Sequence, residues 1–147
     1  MKNNIKKIIY MLISIIQICI IGGSFILQYL TNTKAGVMHH VYFKRYQFES
    51  GIFSSGNLQR ISNIIFIISL IFILLEIYTI VKKKNLNFIK VQNVIGLILS
   101  LILYFVIKSK YFIDMIAYPY FIIAFSVVLI IQICVVILGY IVSLKKN

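Results

Sequence analysis

Four apolar runs, at residues 8–30, 61–81, 91–107 and 118–144, fill most of this 147-residue chain. A helix needs about 20 residues to cross a hydrocarbon layer about 30 Å thick, and each run is that long or nearly so. Lipid offers no hydrogen bonds to an exposed backbone, so a crossing segment must satisfy its own amides and carbonyls, as a helix does. The expected fold is therefore an all-α integral membrane protein: a four-transmembrane-helix bundle over residues 1–147, read as one polytopic domain. The connections fall at 31–60, 82–90 and 108–117.

Composition points the same way. Hydrophobic residues make up 61% of the chain and charged residues 12%, with a mean hydropathy of +1.00, whereas soluble domains carry about 25% charge. The net charge of +12 raises nucleic-acid binding as a function class, but the placement of the cations argues against it. Lys2, Lys6, Lys7, Lys82, Lys83, Lys84, Lys90, Lys145 and Lys146 flank one end of the four runs; Lys34, Lys44, Arg45, Arg60, Lys108 and Lys110 are spread along the connections at the other. The positive-inside bias then predicts a cell-membrane protein with both termini and the 82–90 turn in the cytoplasm. Juxtamembrane lysines account for the charge by attracting anionic headgroups, at about 1 kcal/mol each. The basic start of the chain resembles a signal-peptide n-region, yet the 8–30 run exceeds the roughly 7–15 residues of a signal core and reads as the first span.

The 31–60 connection is the one substantial extramembrane piece, on the external side by the charge argument. Within it, Val41-Tyr42-Phe43-Lys44-Arg45-Tyr46-Gln47-Phe48-Glu49 interleaves aromatic and polar residues, a composition that favours a short strand or a segment at headgroup level. Ser50-Gly51 and Ser54-Ser55-Gly56-Asn57 read as turns, so a β-hairpin over the outer helix ends is expected. Four helices with a strand-bearing first external loop resemble the claudin-like layout in architecture; that family's sequence signature is absent, and the likeness carries no function. Tyr42, Lys44, Arg45 and Tyr46 are the candidate partner-binding residues. His39 and His40 are adjacent, without a converging cysteine or carboxylate set, and so are read as interfacial or solvated, not as metal ligands. No metal or cofactor is expected.

Polar groups inside the runs are costly unless they are paired or functional. Gln17 and Gln132 stand in the identical strings Ile15-Ile16-Gln17-Ile18-Cys19 and Ile130-Ile131-Gln132-Ile133-Cys134. Counted from the cytoplasmic ends of antiparallel helices, their depths differ by roughly 4–5 Å at helical rise, which two long amides can bridge. A Gln17–Gln132 hydrogen bond joining the first and fourth spans is the favoured reading over a solute path. Glu76 lies about five residues from the cytoplasmic end of the second span and is expected to pair with Lys90, Gln92 or Asn93 or to snorkel to the interface, the functional alternative being proton-coupled transport. Cys19 and Cys134 read as small packing residues. Gly22-Gly23, Gly96-x-x-x-Ser100 and Gly139-x-x-x-Ser143 are surfaces where backbones can approach. The ring-rich segment from Tyr104 to Phe121 reads as an aromatic belt, and Pro119 as the opening of the fourth helix, with Asp114 capping the turn before it.

Neither a nucleophile with a base nor a convergent carboxylate pair can be assembled, so an enzyme is not expected. The first functional expectation is a small non-enzymatic accessory or interaction protein, of assembly-partner or immunity type, acting through its first external loop on a membrane-protein partner. The alternative is an oligomeric small-solute or ion transporter using Glu76, Gln17 and Gln132.

Overall fold

The computed structural model describes residues 2–81 and 87–144, with side chains at 8–81 and 89–142. Six helices follow in order: α1 (Lys2–Thr33), α2 (Ala35–Ser50), α3 (Ser55–Val81), α4 (Asn87–Lys108), α5 (Lys110–Ile113) and α6 (Tyr118–Leu144). Four of them are long and apolar enough to span a membrane, over Ile8–Thr33, Ser55–Val81, Ile89–Lys108 and Tyr118–Val142. The chain is thus a small multi-pass membrane protein with an all-α four-helix architecture. The first span runs on past residue 30 and the second begins before residue 61, because Thr31, Ser54 and their polar neighbours continue the helical ladders at the membrane edge; Leu58 N, for example, donates to Ser54 O at 2.9 Å. Residues 82–86 of the expected turn lie outside the described residues, as do the side chains of Lys2, Lys6 and Lys7.

The spans lie side by side in the order α3, α4, α6, α1, with α1 and α3 at the edges. Burial follows that order: half of the apolar window of α6 is enclosed (50%), against 11% in α1. The edge helices therefore turn most of their apolar surface to lipid, which exacts none of the penalty that water would.

Two seams hold the edges, and both are built on small or polar residues at heptad spacing. On α3 the buried positions are Ser62, Ile65, Ser69, Phe72 and Thr79; on α4 they are Ile89, Asn93, Ser100, Leu103, Val106 and Ile107, with Gly96 buried among them. Gly96 fixes the register, since a Cβ there would lie 2.4 Å from Cε1 of the Phe72 ring. At the far end of the same seam Lys108 Nζ donates to Gln59 Oε1 at 2.7 Å. On α1 the buried positions Gln17, Ser24 and Thr31 face α6, where Phe25 meets Phe121 edge-on at 5.0 Å. The buried hydroxyls do not bridge helices. Ser24, Thr31, Ser62, Ser69, Thr79 and Ser100 each donate to the carbonyl three residues earlier. Each is thereby satisfied within its own helix and acts across the seam as a small residue that permits close approach.

The expected β-hairpin is not formed. No strand occurs among the described residues; residues 35–50 are α2, and with the hairpin the claudin-like likeness falls away. The reason lies in the spacing. Val37, Val41, Lys44, Arg45 and Phe48, the less exposed residues of this segment, recur every three or four positions and make one helical face. A lone hairpin also leaves edge amides unpaired, whereas a helix pairs its own at the membrane boundary. Of the two expected turns, Gly51–Phe53 forms, with Phe53 N donating to Phe48 O at 2.8 Å; the second has become the first turn of α3.

Candidate functional site

α2 crosses one end of the layer like a strap. It leaves α1 through a single extended residue, Lys34 (φ −127°, ψ 111°), packs on α1 and α6, and returns the chain to α3 at the opposite edge. Sixteen residues span about 24 Å at helical rise, close to three interhelical spacings of about 8–10 Å. The inward face seats Val41, 2% exposed, and Phe48, whose ring meets Tyr120 at 6.0 Å and Phe53 at 5.7 Å. Under the end of α2 a cavity of about 370 Å³ opens among Glu49, Phe53, Leu58, Lys108 and Tyr118.

Arg45 clamps the strap. Its Nη1 donates to Met115 O at 2.8 Å and its Nη2 to Ile113 O at 2.9 Å, carbonyls at and just beyond the end of α5, of which Met115 O also accepts from Tyr118 N at 3.1 Å. Nε completes the set by donating to Glu49 Oε1 at 2.6 Å, so a planar fork serves three acceptors at once. Gln28 of α1 adds a second tie by accepting from Ala117 N at 3.0 Å, just before α6 begins. Pro119 follows in the first turn of α6, where its missing N–H has no bond to lose.

The four residues singled out on this segment therefore divide. Tyr42 and Tyr46 stand out from the helix, 64% and 70% exposed, beside Phe43 at 58% and Met38 at 40%. Lys44 is half-buried and donates to Gln47 Oε1 at 3.1 Å. Arg45 is turned inward as the clamp. His39 and His40 are exposed on the outer side, and no group of three potential metal ligands occurs among the described residues. The outward arc of Met38, Tyr42, Phe43 and Tyr46 is thus a rigid row of apolar and aromatic side chains, held out from the end of the layer.

The intramembrane candidates form a different arrangement. Gln17 Nε2 donates to Gln132 Oε1 at 3.1 Å, as their matched depths implied. Gln132, 1% exposed, in turn donates to Gln92 O at 2.9 Å and Gln92 Oε1 at 2.8 Å, linking α1, α6 and α4 in one row. The contribution of Gln92 is additional to the expected pair: it lies in the second turn of α4, short of the depth of the other two, and is reached by the length of the amide side chains. Two residues on from each glutamine the helix has turned away, so Cys19 and Cys134 are exposed on the apolar surface rather than packed between helices. Gly22 and Gly23 are likewise open, with no atom within 4 Å of the point where a Cβ would stand. Glu76 makes no side-chain hydrogen bond to Lys90, Gln92 or Asn93; its Oε2 is buried and unpartnered. Nor is the expected aromatic belt uniform: Tyr111 and Phe105 are exposed, while Tyr118 and Phe121, at 2% and 0%, belong to the core.

Comparison with protein families, with characterised proteins and with solved structures finds no match to this chain.

Proposed function

We propose that this multi-pass protein is a non-enzymatic accessory protein of the cell membrane, of assembly-partner or immunity type, that recognises a membrane-protein partner through the outward arc of α2. The observation that carries the reading is the exposure of Tyr42 and Tyr46, with Phe43 beside them, on a helix clamped from behind by Arg45. Tyrosines prepositioned on a rigid element bind with little ordering cost, and they are enriched among the residues that dominate interface energies. Lys44 borders the arc and favours carboxylates on the partner's rim. The charge bias along the chain orients α2 to the outside and both termini to the cytoplasm, with the flanking lysines on anionic headgroups. Gln17 and Gln132 use their amides on each other and on Gln92, which supports a packing role for them over a solute path.

Co-purification from native membranes in mild detergent tests the proposal. A stoichiometric foreign partner that is lost from Tyr42→Ala/Tyr46→Ala but retained by Glu76→Gln is the expected result. A partner retained by the tyrosine variant and lost from Glu76→Gln, or flux that depends on Glu76 without any partner, would overturn it.

A further inference from the structure

The cavity under the end of α2 sets opposite charges on one space. Glu49 and Lys108 both line it, together with Phe53, Leu58 and Tyr118, around a volume of about 370 Å³. The two charges do not pair with each other: the only ion pair among the described residues is Arg45–Glu49. Each also keeps bonding capacity in reserve. Arg45 Nε donates to Oε1 of Glu49, and Oε2 has no protein donor among the described residues. Lys108 Nζ commits one of its three N–H donors, to Gln59 Oε1 at 2.7 Å.

Position and lining select the ligand. The walls are the end of α2, the first turns of α3, the last residue of α4 and the first of α6, so the cavity lies where the spans leave the hydrocarbon, at headgroup level whichever way the chain is oriented. Its floor is apolar. Phe53 and Tyr118 are 7% and 2% exposed, and the Tyr118 hydroxyl already donates to Ile107 O at 3.1 Å. A small soluble ion gains nothing from such a floor, whereas the glycerol and first methylenes of a lipid do. The volume is at the low end of the roughly 300–1,000 Å³ of ligand sites; it has room for a headgroup, while the acyl chains stay in the bilayer. That headgroup must offer an anion to Lys108 and a cation to Glu49. A phosphodiester carrying a primary ammonium offers both, and its N–H groups can donate to a carboxylate, which the quaternary nitrogen of choline cannot do.

We propose that this cavity binds the headgroup of one phospholipid bearing a primary ammonium, whose phosphate oxygens accept from Lys108 Nζ while the ammonium donates to Glu49 Oε2. Helix α2 packs on α1 and α6; the lipid ties its far end to the α3–α4 seam as well. The site is independent of the partner-binding reading of the outward arc.

Native mass spectrometry of the full chain, released from nanodiscs of equimolar phosphatidylethanolamine, phosphatidylcholine and phosphatidylglycerol, is the test. The expected result is one phosphatidylethanolamine retained per chain, enriched about tenfold over each of the other two. Lys108→Gln should retain about tenfold less lipid of every headgroup, as for the loss of one charge-assisted bond. Glu49→Gln, whose amide oxygen still accepts from Arg45, should keep bound lipid but lose the preference for phosphatidylethanolamine over phosphatidylglycerol. Gln59→Leu removes the tie on Lys108 without removing the ammonium, and should keep the preference. Equal retention of the three lipids by the parent would overturn the proposal, even were Glu49→Gln unable to fold, because it marks an ordinary lipid annulus. So would a preference unchanged in Lys108→Gln, which places the lipid elsewhere, or binding of free phosphoethanolamine as tight as that of the lipid, which identifies a soluble ligand.

Discussion

Gly96→Ala tests the register on which the α3–α4 seam depends. The added methyl would stand 2.4 and 2.5 Å from Cε1 and Cζ of Phe72, where ordinary carbon contacts need about 3.5–4.0 Å. The ring, 3% exposed, must therefore retreat by about 1.0–1.6 Å or the helices must part. Overpacking of this kind costs about 1–3 kcal/mol, offset by about 1 kcal/mol from the better helix propensity of alanine, for a net loss of about 0–2 kcal/mol. Since that range touches zero, the decisive quantity is the coupling with Phe72→Leu, which removes the two colliding ring atoms and leaves room for the methyl. The double variant should be more stable than the sum of its parents predicts by about 1–2 kcal/mol, well beyond the roughly 0.3–0.5 kcal/mol scatter of additive pairs. Reversible unfolding in mixed micelles, followed by helicity, reads all four corners of the cycle. Additivity within that scatter would refute the seating of Phe72 on Gly96.

Further outcomes follow from the polar ties. Gln132→Leu removes three hydrogen bonds and Gln17→Leu one of them; at about 0.6 kcal/mol for an interhelical bond in lipid, the same unfolding assay should show losses of about 2 and 0.6 kcal/mol. Arg45→Lys keeps the charge but cannot serve two carbonyls and Glu49 together, which costs about 1–2 kcal/mol. Trypsin applied to the α2 side of sealed vesicles should then cut within α2 about tenfold faster, while the spans stay protected. Leu in place of Gly22 or Gly23 meets no atom within 4 Å at its first side-chain carbon and should leave stability within about 0.5 kcal/mol of the parent; a larger loss would mean that another molecule packs there.

The spans are legible because lipid leaves a crossing backbone almost one solution, and an apolar run of about 20 residues announces it. The Gln17–Gln132 bond is legible for a related reason: depth along a straight helix is a count of residues. Helix α2 is not, because Tyr, Phe and Val favour strands by propensity, and its inward face, Val37, Val41, Lys44, Arg45 and Phe48, mixes apolar residues with two cations, so no apolar stripe announces a helix. The seam on α3 is present in the sequence as Ser62, Ser69 and Thr79 at heptad phase with Phe72 and Glu76, though single serines inside an apolar run are easily taken for noise. What the sequence does not hold is the lateral order of the spans. That order depends on contacts far apart in the chain, such as Arg45 with the carbonyls of Ile113 and Met115, and it is what turns Arg45 from a surface cation into a clamp.

Photo-crosslinking from α2 in native membranes bears most directly on the functional account. A benzophenone side chain is placed in turn at Tyr42, at Tyr46 and at Ile18, which is 70% exposed on the apolar surface of α1. The expected outcome is a single adduct to a foreign membrane protein, of the same mass from both tyrosine positions and absent from Ile18. Adducts to lipid alone at Tyr42 and Tyr46, or the same protein adduct at all three positions, would contradict it.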